Sequence, residues 1–168
     1  MDMTWVTDRV ALGGGIWTDE KMIEVVKQGV THVVNMQIEF DDRPLAKPYG
    51  VKVEWCATDD DFCPKPAELF ERGVTFAEDA LREDAQAKVY VHCAAGVHRA
   101  AMMTLAILRA HGWELEEAMR HVQGLRPVVD WAPVYVNSVE EWWGARDGAT
   151  AKRGKDARGA RGWEAPEC

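Results

Sequence analysis

The stretch KVYVHCAAGVHRAAMMTLAILRAHG, residues 88–112, decides the fold. KVYVHC, residues 88–93, is rich in β-branched and aromatic residues and predicts a strand. AAMMTLAILRAHG is apolar nearly all round and is stopped by Gly112, which predicts a buried helix. Only a short glycine-bearing loop joins them. A strand that passes directly into a buried helix is the unit of an α/β domain, in which helices flank a central, mostly parallel sheet.

Upstream, Trp5, Val6, Val10 and Leu12 predict a short opening hairpin, and Gly13, Gly14 and Gly15 a flexible turn leading to Thr18, a helix N-cap. Behind Thr18, DEKMIEVVKQG has acids in its first turn and Gly29 at its stop. THVVNM (31–36) and VKVEW (51–55) read as strands. DDDFCPKP (59–66) reads as a loop, and ELFERGVTFAEDALRED as an amphipathic helix that covers a sheet face. Downstream, LEEAMRHVQG and, after Pro133, VYVNSVEEWW predict two further helices. From Gly144 the chain loses apolar periodicity and becomes rich in Gly, Ala, Arg and Lys. The expectation is one folded domain over 1–143 and a disordered tail over 144–168.

The 168 residues, 47% of them hydrophobic, suffice for one sizeable core. A formal net charge of −8 argues against nucleic-acid or anionic-membrane partners, and no apolar run approaches the roughly 20 residues that span a bilayer. Cys56, Cys63, Cys93 and Cys168 lack the spacing of a disulfide framework or a CxxC pair. Reduced thiols and a cytoplasmic location are therefore expected.

The chemistry concentrates in HCAAGVHRA, residues 92–100. A phosphate dianion at a junction of strand and helix meets the backbone N–H groups of the turn and the positive end of the helix dipole together. Gly96 lets the backbone curl, and Arg99 at the helix entrance offers a rigid fork for two phosphate oxygens. The same field favours the thiolate form of Cys93, a nucleophile able to attack phosphorus in line. Ala94, Ala95, Gly96, Val97, His98 and Arg99 form the expected phosphate cradle; neither metal nor cofactor is required.

The pattern HCxxGxxR resembles the signature of the cysteine-based protein tyrosine phosphatases, and the surrounding chain resembles their dual-specificity subgroup. VALGGG, THVVNM, DDDFCPKP, VYVHC and LRPVVDWAPVY fall where such domains place comparable segments, over roughly residues 4–143. The resemblance implies that fold, with Cys93 as nucleophile, Arg99 as phosphate clamp and His92 supporting the loop. It also implies an Asp on the upstream loop that protonates the leaving oxygen and later activates water. Asp59, Asp60 and Asp61 are candidates. Asp61 is chosen, because it lies 32 positions before Cys93 and precedes Phe62, with Asp60 next.

One position departs from the family: Ala100 stands where most members carry the Ser or Thr that helps break the phosphocysteine intermediate. Thr104, a turn later, is a partial substitute. The expected substrate is a phosphorylated protein or another phosphomonoester, with phosphotyrosine, phosphoserine and phosphothreonine first. A phosphorylated glucan or RNA 5′ end, and a phosphate-binding module with little turnover, are the alternatives. The loop lacks the lysines with which phosphoinositide phosphatases meet extra phosphates. Trp142 and Trp143 are candidates for contact with a ring-bearing substrate, and Cys56 or Cys63 for a reversible disulfide with Cys93.

Overall fold

The computed structural model describes residues 1–150 and Cys168. Strands β1 (Met3–Trp5) and β2 (Val10–Gly13) form the opening antiparallel hairpin. Helix α1 (Asp19–Lys27), β3 (His32–Gln37), α2 (Arg43–Ala46), β4 (Lys52–Thr58) and α3 (Ala67–Glu83) follow. Then come β5 (Val89–His92), α4 (Arg99–Ala110), α5 (Leu115–Leu125) and α6 (Pro133–Thr150). The sheet order is β1-β2-β5-β3-β4, parallel except for β1. The expected α/β architecture is thus the observed one.

Period-two alternation divides the core. Val34, Val91 and Leu12 face one layer with α3, α4 and α6, whereas Val33, Tyr90 and Ala11 face the other with Met22, Val25 and Ala46 of α1 and α2. Helix α4 buries Ala100 through Leu108 without a break, which accounts for its apolar sequence. Thr18 caps α1, its hydroxyl accepting from the Lys21 N–H at 3.2 Å. β5 is flanked by β2 and β3, so the loop at its C-terminal end sits centrally on the edge where open α/β sheets bind ligands.

Three expectations need correction. Gly13 to Gly15 are not a flexible turn: Gly13 is part of β2, and a Cβ on Gly15 would stand 2.8 Å from Trp17 Nε1. These glycines permit close packing. The final helix also runs past residue 143 to Thr150, because Arg146 ion-pairs with Glu78 of α3 at 2.9 Å and lies over the Trp142 ring. Residues 151–167 of the expected tail lie outside the described residues. Finally, Cys63 is not a free thiol but is disulfide-bonded to Cys168, while Cys56 and Cys93 are free and buried. Neither Cys63 nor Cys56 is joined to Cys93. A single bridge across 105 residues leaves no spacing signal in a sequence.

Candidate active site

Cys93 follows the last residue of β5 and is 3% exposed, at the floor of the loop. Its Sγ accepts from the backbone N–H groups of Gly96 at 3.3 Å and Ala100 at 3.4 Å. The second belongs to the first turn of α4, where free N–H groups and the dipole favour negative charge. Gly96 adopts φ +68°, and a Cβ there would meet Arg126 Nη2 and the carbonyl carbon of Gly13, each at 2.6 Å. Only glycine fits this turn without strain.

Arg99 opens α4 with a fork fixed by three oxygens. Nη1 donates to Glu39 Oε1 and the Thr58 carbonyl, both at 2.8 Å, and Nη2 to Glu39 Oε2 at 2.9 Å. Its buried Nε makes no hydrogen bond and is the donor open to an incoming oxygen. The guanidinium holds the Glu39 carboxyl at a pKa of about 2, chiefly by these hydrogen bonds.

Beneath the loop, His92 Nε2 lies 2.6 Å from Asp42 Oδ2, both side chains wholly buried. Asn35 Nδ2 donates to Asp42 Oδ1 at 3.1 Å, and His92 Nδ1 lies 3.3 Å from the Cys93 carbonyl. The ring is therefore held at both nitrogens. Tyr90, also in β5, donates its hydroxyl to the Gly14 carbonyl at 2.6 Å. The loop is tied to this segment again where the Gly15 N–H donates to the Ala94 carbonyl at 3.1 Å.

Arg126, just past α5, grips the loop from outside. Its Nε donates to the Gly96 carbonyl at 2.9 Å and its Nη2 to the Ala95 carbonyl at 3.1 Å, while both Nη atoms engage Asp2. The Ala95 carbonyl and the Gly96 N–H share one peptide plane. Holding the oxygen outward aims the N–H inward at Sγ.

On the upstream loop the structure separates the three aspartates. Asp60 Oδ2 lies 3.1 Å from His98 Nδ1 of the phosphate cradle, and Asp60 Oδ1 accepts from the Tyr135 hydroxyl at 2.9 Å. Asp61, the residue chosen from its spacing, instead takes Lys65 Nζ at 2.8 Å and the Cys63 N–H at 3.1 Å, and Lys65 lowers its pKa. Asp61 hydrogen-bonds no residue of the cradle, whereas Asp60 does, so Asp60 is the residue the structure brings to the loop. Counting residues cannot resolve adjacent positions, because Phe62 reverses the chain with φ +57°.

Among the other candidates, Ala100 contributes only its backbone N–H to Cys93, and the buried Thr104 hydroxyl makes no hydrogen bond, so Thr104 is no substitute for it. Trp142 packs on Phe70 and donates to Glu71, and Trp143 lies against Arg109, both within the α3, α4 and α6 layer rather than at the loop. Glu39, Asp42 and Arg126 were missed. They stand outside the motif, and only the stretch LRP before Val128 carried any signal for the last.

A buried cysteine cradled by backbone donors at the C-terminal edge of a parallel sheet, with an arginine at the helix entrance, defines the fold and site of the cysteine-based phosphatases. The family model for the dual specificity phosphatase catalytic domain matches residues 17–143, and the chain belongs to that family. Mouse protein phosphatase Slingshot homolog 3 is 35% identical over 119 residues, covering 69% of this chain and 17% of that protein. Bovine protein tyrosine phosphatase type IVA 3 is 29% identical over 104 residues, 61% of this chain and 59% of the relative. The chain thus spans about a sixth of the length of the Slingshot relatives. Among solved structures, that of PTPMT1 superposes with a TM-score of 0.76 at 25% identity, covering 89% of this chain and 99% of the other. No helix among the described residues is long and apolar enough to cross a membrane.

Proposed function

We propose that the chain is a phosphatase that hydrolyses phosphomonoesters, phosphorylated proteins first among them, through a phosphocysteine intermediate. The observation that carries this reading is Cys93 Sγ accepting two backbone N–H groups at the entrance of α4, an arrangement that stabilises a thiolate and aims the same donors at phosphoryl oxygens. The thiolate attacks phosphorus as the ester O–P bond breaks. Asp60 gives its proton to the leaving oxygen, so that no alkoxide departs. Arg99 and the loop N–H groups neutralise the charge on the equatorial oxygens. In the second step Asp60 takes a proton from water, which attacks phosphorus, and the S–P bond breaks to release phosphate and the thiolate.

Arg99 supports this role through a fork already set by Glu39, since a pre-oriented guanidinium loses little freedom on meeting phosphate. Cys93 must be reduced to act and is free in the structure, whereas Cys63 and Cys168 are bridged. Hydrolysis of para-nitrophenyl phosphate tests the reading. Cys93→Ser is expected to abolish turnover, and Asp60→Asn to lower kcat by about 10²- to 10⁴-fold while Asp61→Asn does not. A loss confined to Asp61→Asn would return the acid role to Asp61, and unchanged turnover in Cys93→Ser would end the proposal.

A further inference from the structure

His98 lends its backbone to the cradle, and its imidazole is engaged by acids from two other loops. Nδ1 lies 3.1 Å from Asp60 Oδ2, on the loop between β4 and α3. Nε2 lies 2.9 Å from Asp130 Oδ2, on the loop between α5 and α6. Asp130 is tied to the same stretch a second time, its N–H donating to the Val97 carbonyl at 3.2 Å. The Phe62 ring stands edge-on to the imidazole, with centroids 4.9 Å apart, and the His98 side chain is only 19% exposed. Three loops therefore meet on one ring.

The protons of these contacts can be counted. An ionised carboxylate only accepts, and a neutral imidazole has one N–H, so a neutral ring would turn a lone pair toward one of the two carboxylates. Both contacts are hydrogen bonds together only when the three groups hold one proton more than a neutral ring and two carboxylates. Imidazole ordinarily binds a proton more firmly than a carboxylate does, which places the extra proton on His98. The neighbouring charged and titratable groups are engaged elsewhere. Tyr135 donates to Asp60 Oδ1 at 2.9 Å, Lys65 pairs with Asp61 and lies over the Tyr135 ring at 5.7 Å, and Arg99 pairs with Glu39. Lys65 also donates to the Asp59 carbonyl at 2.7 Å, and Cys93 Sγ is held by the Gly96 and Ala100 N–H groups.

Resting on the phosphatase reading, we propose that His98 is a positioning residue for the acid step, a proton-dependent latch that holds Asp60 at the cradle while Asp130 fixes the ring from the other side. The extra proton of the latch is the one that Asp60 must deliver. It passes from His98 Nδ1 to Asp60 Oδ2 and on to the leaving oxygen as the O–P bond breaks. One N–H bond is lost, one O–H bond forms on the alcohol, and a neutral ring remains with its Nε2–H on Asp130. In the second step the proton that Asp60 takes from water returns to Nδ1, and the latch closes again. Tyr135 anchors Oδ1, which leaves Oδ2 to exchange the proton. Asp130 keeps Nε2 as a donor, so that Nδ1 is the nitrogen that gives and takes.

The test is the pH profile of kcat on para-nitrophenyl phosphate and phenyl phosphate for the wild-type chain, His98→Ala, Asp130→Ala and Asp130→Glu. His98→Ala keeps the backbone N–H of the cradle. A nitrophenolate needs less help from an acid than a phenolate, so a displaced or unprotonated Asp60 lowers the phenyl phosphate rate more. His98→Ala should lower kcat on phenyl phosphate about ten- to hundredfold and reduce the ratio of phenyl to para-nitrophenyl turnover. It should also move the alkaline fall of kcat to lower pH by about one unit or more, because Asp60 then acts as a carboxyl alone. Asp130→Ala should shift both in the same direction by less, and Asp130→Glu, which retains a carboxylate, should recover part of the loss. A merely structural role changes the amount of active protein, which leaves the ratio and the alkaline limb where they were. The imidazole ¹⁵N resonances of His98, identified by their loss in His98→Ala, should show both nitrogens protonated below the alkaline limb and one above it. An unchanged ratio and limb in His98→Ala, or a neutral ring throughout the active range, would overturn the latch while para-nitrophenyl phosphate hydrolysis stands. Absence of that hydrolysis in the wild-type protein would overturn the phosphatase reading, and the latch with it.

Discussion

Replacing Arg126 by methionine keeps much of the side-chain stem but removes the fork that holds the catalytic loop. Two consequences can be separated. The Gly96 carbonyl is in a buried residue and loses its partner at 2.9 Å, which costs about 1–3 kcal/mol. The Ala95 carbonyl belongs to an exposed residue and can turn to solvent, and Asp2, with its side chain 61% exposed, gives up a pair worth at most about 1 kcal/mol. The total is about 1–4 kcal/mol, or on the order of 10 °C in melting temperature at its upper end for a domain of this size. The kinetic consequence follows from the shared peptide plane: without Nη2 on the Ala95 oxygen, the Gly96 N–H is no longer aimed at Sγ. Deleting such a donor outright costs about 10²- to 10³-fold in kcat, so loosening one should cost about tenfold. Urea unfolding and para-nitrophenyl phosphate kinetics on the same preparation measure both. Arg126→Lys should recover little, because one ammonium cannot span two carbonyls and a carboxylate. An Arg126→Met protein within about 0.5 kcal/mol and twofold of wild type would refute the reasoning.

Three further outcomes are expected. The Glu39 carboxyl has a folded pKa depressed from 4.5 to about 2, so its contribution to stability is full above pH 4.5 and lost as pH falls through about 2; with Glu39 41% exposed, the loss is about 1 kcal/mol, and Glu39→Gln should remove that acid limb from the unfolding profile. Cys168→Ser should lower stability by no more than about 5 kcal/mol, the chain-entropy limit for so long a loop, and thermal melts with and without reductant should differ for wild type but not for this variant. Ala100→Ser places a hydroxyl beside the sulfur and should speed breakdown of the intermediate, seen in stopped flow as a higher steady-state rate relative to the initial burst; an unchanged ratio would mean that Ala100 does not limit turnover.

The elements readable from sequence were those whose burial imposes a period. The apolar run of α4, the buried β-rich runs of β3 and β5 and the stripe along α3 each report a surface that packed layers cover. The cradle was legible for a related reason: Cys93, Gly96 and Arg99 act through a local turn, so their spacing is their geometry. Contacts made across loops left no such trace. Glu39 reaches Arg99 from 60 residues away, Arg126 reaches Gly96 from 30, and Asp42 meets His92 from 50. The same limit hid which aspartate meets His98, since the turn at Phe62 decides between two neighbouring residues. It also hid the helical end of α6, because Arg146 is fixed by glutamates on α3 rather than by local propensity.

The central claim is that the Cys93 sulfur carries the phosphoryl group. Rapid mixing with a phosphotyrosine substrate, acid quench and mass spectrometry of the peptides locates that group directly. A phosphoryl group on the peptide containing Cys93 in wild type, accumulating before steady state and absent from Cys93→Ser, is the predicted result. Turnover that persists in Cys93→Ser, or a phosphoryl group carried on any other residue, would contradict it.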